Sequence, residues 1–180
     1  MTRERRRHDL IKDNIKDFIL GGQDGTVNVL GIVLGVATAT LNPSIVIIAG
    51  LAATFAESIS MGAVGYTTSK TENELYTSGR RKKAVPEEWS HPLKNGLVTM
   101  FASFLGSFVP LIPFFLAEVK QAMIISLVLS IIFLFSMGAV KGIITKRSWF
   151  RSGAEITIIG ILAALAGFLV GYLLGGPHMI

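Results

Sequence analysis

The chain has no cysteine, which excludes disulfides, thiolate metal sites, iron–sulfur clusters and a cysteine nucleophile in any compartment. Any metal chemistry falls to oxygen, imidazole and thioether donors. Charge is scarce too: 16% of the 180 residues are Asp, Glu, Lys or Arg, where soluble domains carry about 25%. Apolar residues make up 51% and mean hydropathy is +0.57, a composition that argues against a water-soluble enzyme. The net charge of +5 would suit nucleic acid only if the basic residues formed one folded face. They fall instead in short patches between long apolar runs, so no nucleic-acid partner is expected and membrane lipid is.

Five stretches are apolar enough to cross a hydrocarbon core of about 30 Å, which takes roughly 20 helical residues. They lie near 18–40, 44–66, 95–118, 121–140 and 154–176. The fold class expected is all-α, a polytopic membrane protein with five transmembrane helices. Residues 1–17 form a cytoplasmic N-terminal segment, and 18–66 hold helices one and two. Residues 67–94 are a polar cytoplasmic loop, 95–176 hold the last three helices, and 177–180 are a tail.

Lysine and arginine are retained on the cytoplasmic side of short loops. Sixteen of the seventeen basic residues fall in the N-terminal segment, the 67–94 loop with its flank, and the connection holding Lys141, Lys146, Arg147 and Arg151. Only Lys120 falls on the other side. The N-terminus is therefore expected in the cytoplasm and the C-terminus outside. Leu10, Ile11, Ile15, Phe18 and Ile19 recur at helical spacing beside Arg5, Arg6, Lys12 and Lys16. That pattern suits an amphipathic helix lying on an anionic leaflet before it turns inward; a solvated tail is the plainer reading. No small-residue cleavage site follows, and the first run is too long for a signal-peptide core.

A carboxylate inside a membrane costs about 2.5–3.5 kcal/mol on insertion scales and is by default a functional candidate. Asp24 in the first span and Glu57 in the second qualify. With a rise of 1.5 Å per residue, Asp24 sits roughly 10 Å deep from the cytoplasmic side, and on the antiparallel second helix Met61 sits roughly 8 Å and Glu57 roughly 13 Å deep. Asn28 lies one turn from Asp24, and Thr54 and Ser58 lie close to Glu57 along its helix. The turn Leu41-Asn42-Pro43 and the glycines and alanines of both helices permit close packing. Facing carboxylates repel unless a proton or a cation sits between them. Oxygen donors suit hard or intermediate divalent ions, and the Met61 thioether adds preference for softer first-row metals. Two plainer readings stay open: a protonated Glu57 bonded to Ser or Thr, and an Asp24 that caps a helix break at Gly21-Gly22. No Lys or Arg lies inside any span, which counts against a structural ion pair.

Gly22-Gln23-Asp24-Gly25-Thr26-Val27-Asn28 with Leu34-Gly35-Val36-Ala37, and Ala56-Glu57-Ser58-Ile59-Ser60-Met61-Gly62-Ala63-Val64-Gly65-Tyr66 with Lys70 and Glu72 beyond, resemble the vacuolar iron transporter family of divalent iron and manganese transporters. The resemblance implies a homodimer with its metal path between the first two helices of both subunits. It also implies proton-coupled export of Fe²⁺ from the cytosol, with Asp24 and Met61 as the matching site residues. Eukaryotic members carry a glutamate eight residues before that methionine, where this chain has Ala53; its own acid, Glu57, is four before. They also carry a longer glutamate-rich cytoplasmic domain, for which only 67–94 stands here.

In that loop Glu72, Glu74, Glu87, Glu88 and His91 would make a smaller metal site, if clustered; mixed charge in a solvated loop is the plainer account. His8 and His178 are terminal and receive no role. Pro110 and Pro113 suit either a hinge or fixed packing in the third helix. The leading reading is a secondary transporter for Fe²⁺ or Mn²⁺, carried as substrate with no cofactor and exchanged against protons because ligands must deprotonate to bind metal. The alternative is a passive divalent-cation channel. No Gly-x-Ser-x-Gly elbow or His-rich metal motif supports an enzyme. The compact chain without an organelle signal points to a prokaryotic plasma membrane. One copy offers too few donors for a six-coordinate ion, and five spans cannot form a two-half inverted repeat, so a symmetric path needs a second copy.

Overall fold

The computed structural model describes residues 3–78, 85–86 and 89–175, with side chains from Ile15 onward. It is all-helical, in the order α1 (Arg3–Thr40), α2 (Pro43–Ser78), α3 (Pro92–Leu111), α4 (Pro113–Leu116), α5 (Val119–Ile144) and α6 (Trp149–Leu174). The turn between α1 and α2 follows from three residues. Leu41 takes a left-handed φ of 47°, a conformation that costs a non-glycine residue of order 1–3 kcal/mol. Pro43 then starts α2 where a missing N–H costs nothing, and the Asn42 Oδ1 accepts from the amides of Ser44 and Ile45 at 3.0 and 3.3 Å.

Among the described residues four helices are long and apolar enough to cross a membrane: 15–40 of α1, then α2, α5 and α6. The 20-residue α3 has a different character, since Asn95, Thr99, Ser103 and Ser107 recur every fourth residue and are buried. Its opposite stripe, Leu93, Leu97, Phe101 and Leu105, is exposed. This is the inverse of a soluble amphipathic helix: hydroxyls face protein and hydrocarbon faces outward. Leu116 and Leu174, each 81% exposed, likewise need acyl chains rather than water around them.

Pro110 lies inside α3 and cannot donate to the carbonyl four residues back. That carbonyl, Gly106 O, instead accepts the buried Thr26 hydroxyl of α1 at 2.9 Å, and Thr26 also reaches Gly22 O at 2.8 Å. Beyond it, Pro110 O accepts from Ser126 of α5 at 2.7 Å. The proline break is thus tied on both sides, which is fixed packing rather than a free hinge. α1 is the central helix. A Cβ on Gly106 would run into the Gly22 carbonyl, and one on Gly167 of α6 into the Gly31 carbonyl, so glycine lets two neighbours approach the α1 backbone from different sides. Val29, Val33, Val46, Leu111, Phe114 and Val119 close the core at the end of the α1–α2 turn.

Two sequence boundaries move. Residues 67–78, expected in the cytoplasmic loop, continue α2 to Ser78; loss of apolarity ends a span but not a helix, and here Thr67 and Thr77 bond the carbonyls of Ala63 and Asn73 at 2.8 and 3.0 Å while Ser69 is tied to Asn95 of α3. The N-terminal segment does not turn before entering, because α1 is continuous from Arg3 through Gly21 and Gly22 to Thr40. The side chains that would define its amphipathic face before Ile15 lie outside the described residues, as do Arg80–Lys83, Glu87, Glu88 and the tail from 176.

Candidate cation site between the first two helices

Asp24 and Asn28 stand one turn apart on α1, and Asn28 Nδ2 donates to Asp24 Oδ2 at 3.2 Å. Glu57 of α2 approaches the same place, near enough for Asp24 and Asn28 to act on its carboxyl. Three polar groups from two antiparallel helices therefore meet at one point. Asp24 lies six residues into the apolar run that begins near residue 18, about 9 Å at 1.5 Å per residue. Two carboxyls close enough to act on each other there favour something positive between them, a proton or a cation.

The cap reading of Asp24 is overturned, since α1 has no break at Gly21-Gly22 for it to cap. Thr54 and Ser58 do not attend Glu57: their buried hydroxyls bond the carbonyls of Gly50 and Thr54 at 2.8 and 2.6 Å. Their backbone bonds satisfy them and leave the acids to Asn28. Met61 is buried at 7% exposure, one turn along α2 from Glu57, whereas Asp24 and Glu57 are half-buried and Asn28 is exposed. The cluster opens at the surface of this single chain.

Among the described residues Glu72 and Glu74 are joined by no third His, Asp or Glu, and Glu87 and Glu88 lie outside the described residues. Two positions apart on a helix point to different faces, and Asn73 between them is fixed to the Trp89 carbonyl at 3.1 Å. Among the described residues no group of three His, Asp or Glu side chains is gathered. Sequence reasoning missed the Thr26 bond to Gly106, whose signal was Pro110 four residues on. It also missed the buried pair in which Asn95 Nδ2 donates to Ser69 Oγ at 2.8 Å, joining α2 to α3.

Apolar spans around a carboxylate pair define a multi-pass helical membrane protein with a polar centre among its helices. The chain belongs to the VIT family, whose model matches residues 15–85 and 81–172. It is 26% identical to vacuolar iron transporter 1 of Arabidopsis thaliana, over 90% of this chain and 86% of that protein. An uncharacterised protein of Methanocaldococcus jannaschii is 27% identical over 85% and 86% of the two chains. The vacuolar iron transporter of Plasmodium falciparum is 38% identical over 46% of this chain and 29% of its own length. The family resemblance read from the two motifs is borne out, and the relatives that carry a functional name are transporters rather than enzymes.

Proposed function

We propose that the chain transports a divalent metal ion, Fe²⁺ foremost and Mn²⁺ by the same donors, out of the cytosol in exchange for protons. The observation that carries this reading is the meeting of Asp24, Glu57 and Asn28 across α1 and α2 at membrane depth. Metal displaces the protons that otherwise separate the two carboxyls, so binding from one side and protonation from the other give antiport. The names of the relatives support iron as the substrate.

In this reading α3 with α4 completes a set of five spans, the N-terminus is cytoplasmic and the C-terminus outside, and the membrane is the cell membrane. The basic-residue count supports that orientation. The site is completed by a second copy, because the open cluster offers two carboxylates and one amide where a six-coordinate ion needs more. The test is Fe²⁺ movement in proteoliposomes under an imposed proton gradient. Uphill, gradient-driven transport is expected; movement only down the metal gradient would make the protein a channel.

A further inference from the structure

The turn from α5 into α6 carries a concentration of charge that the metal reading does not use. Lys141, Lys146, Arg147 and Arg151 fall within eleven residues, and no Asp or Glu lies between Glu118 and Glu155. All six residues from Lys146 to Arg151 are exposed. Their depth is set by the flanking helices, since Val119–Ile144 and Trp149–Leu174 are both long and apolar enough to span. The four residues between them therefore sit where hydrocarbon gives way to headgroups. Trp149 and Phe150 pack against each other and against Phe135 of α5, with ring centres 5.8, 6.1 and 5.9 Å apart. Even so they remain 54% and 59% exposed, and aromatic rings with one side outward at a span boundary belong to the interface.

The backbone of the turn is fixed. The amides of Thr145, Lys146 and Arg147 donate to Lys141 O, Ile143 O and Gly142 O at 2.9, 3.2 and 2.8 Å. Lys146 itself takes a left-handed φ of 55°, a conformation that glycine adopts freely and usually fills at the end of a helix. These bonds run from backbone to backbone, so the turn has no need of the lysine side chain. A charge is thus held at a place where glycine would be less strained, and its use lies outside the turn.

We propose that the α5–α6 turn is an interaction surface for anionic lipid headgroups, with Lys146, Arg147 and Arg151 among the phosphates and Trp149 and Phe150 just beneath them. Each Lys or Arg close to an anionic leaflet adds attraction, and the rings hold the turn at the depth where that attraction acts. A soluble acidic partner would match the charges but not two outward aromatic rings at a span boundary. Zwitterionic lipid would match the rings and leave the charge uncompensated. An anionic bilayer surface matches both. This surface is independent of the metal reading and stands or falls apart from transport.

The experiment reads the turn through its own tryptophan. The full chain has two tryptophans, so Trp89→Phe leaves Trp149 as the reporter in vesicles of mixed phosphatidylglycerol and phosphatidylcholine. Bromine on the acyl chains of phosphatidylglycerol should quench Trp149 more than the same mole fraction of bromine on phosphatidylcholine. The preference should fall about fivefold for each charge removed, roughly 100-fold for Lys146→Gln, Arg147→Gln and Arg151→Gln together. Lys120→Gln, at the opposite end of α5, should leave it unchanged. Lys146→Gly suits the left-handed backbone, so it should raise the unfolding temperature while still lowering the preference about fivefold; that pairing separates lost charge from lost folding. High salt, which shortens the screening length to about 3 Å at 1 M, should also weaken the preference. Equal quenching by the two bromolipids would leave the patch to a soluble acidic partner and overturn the proposal. A preference that survives the triple Gln variant would overturn it as well, and so would its abolition by millimolar inorganic phosphate at constant ionic strength.

Discussion

Among the described acids Glu57 and Asp24 are the two that act on each other inside a span, so their substitution separates chemistry from packing. Asp24→Asn and Glu57→Gln keep shape and remove a charge that would bind metal. Each should cut Fe²⁺ transport by more than about tenfold, since even residues supporting a metal ligand are worth 10–100-fold, with the protein still eluting as a folded species. Transport at the normal rate by both variants would remove the site. Asn28 supplies the amide that donates to Asp24, and it is exposed. Met61 has a different role to test. Being buried, it tolerates Leu at a stability cost below about 1.5 kcal/mol, and loss of the sulfur should shift competition in the uptake assay towards Mg²⁺ and Mn²⁺. An unchanged ion profile returns Met61 to packing.

At the scale of the elements, the link between α1 and α3 is a hydrogen bond made necessary by a proline. Thr26→Val leaves Gly106 O buried without a donor and should cost about 1–3 kcal/mol. Pro110→Ala restores an N–H to that carbonyl, so in its background the same Thr26→Val should cost clearly less. A thermal-unfolding cycle of the two single variants and the double variant measures the coupling; strict additivity would show that the two residues act separately. These elements also show what the sequence displays and what it hides. Asn42-Pro43 announces the α1–α2 turn because its chemistry is local. The length of α2 is hidden because the hydropathy that marks a span ends near Tyr66 while backbone hydrogen bonding continues to Ser78. The buried stripe of α3 is hidden for another reason: mean hydropathy cannot say which face of a helix meets protein, and Asn95, Thr99, Ser103 and Ser107 only lower the average. The acids of the candidate site were legible because a charge in an apolar run is conspicuous. Their partner Asn28 was legible as the residue one turn from Asp24, whereas the backbone bonds that occupy Thr54 and Ser58 were not.

For the whole molecule, the open side of the acid cluster sets the expected assembly. Gly25, Val29, Leu30 and Val33 of α1 are buried within the chain, while Asn28 and Ile32, one and two turns on from Asp24, are exposed. From Asn28 a groove of about 600 Å³ runs between α1 and α6 along Gly31, Gly35 and Ala39, past Ala163 and Gly167. Small residues on such a face let a symmetry mate approach closely, and a twofold axis beside α1 would bring a second Asp24, Asn28 and Glu57 to the first set. The native chain has no cysteine, so single cysteines report contacts without background. Cysteines at 28 and 32 should cross-link between subunits in membranes, and cysteines at 29, 30 and 33 should not, since those positions face the chain's own interior. Fe²⁺ should slow the reaction at 28 by occupying the space between the paired clusters, with no effect in Glu57→Gln. Absence of cross-links at both 28 and 32, or full transport by a detergent-purified monomer reconstituted at one copy per vesicle, would require the remaining ligands to come from within one chain.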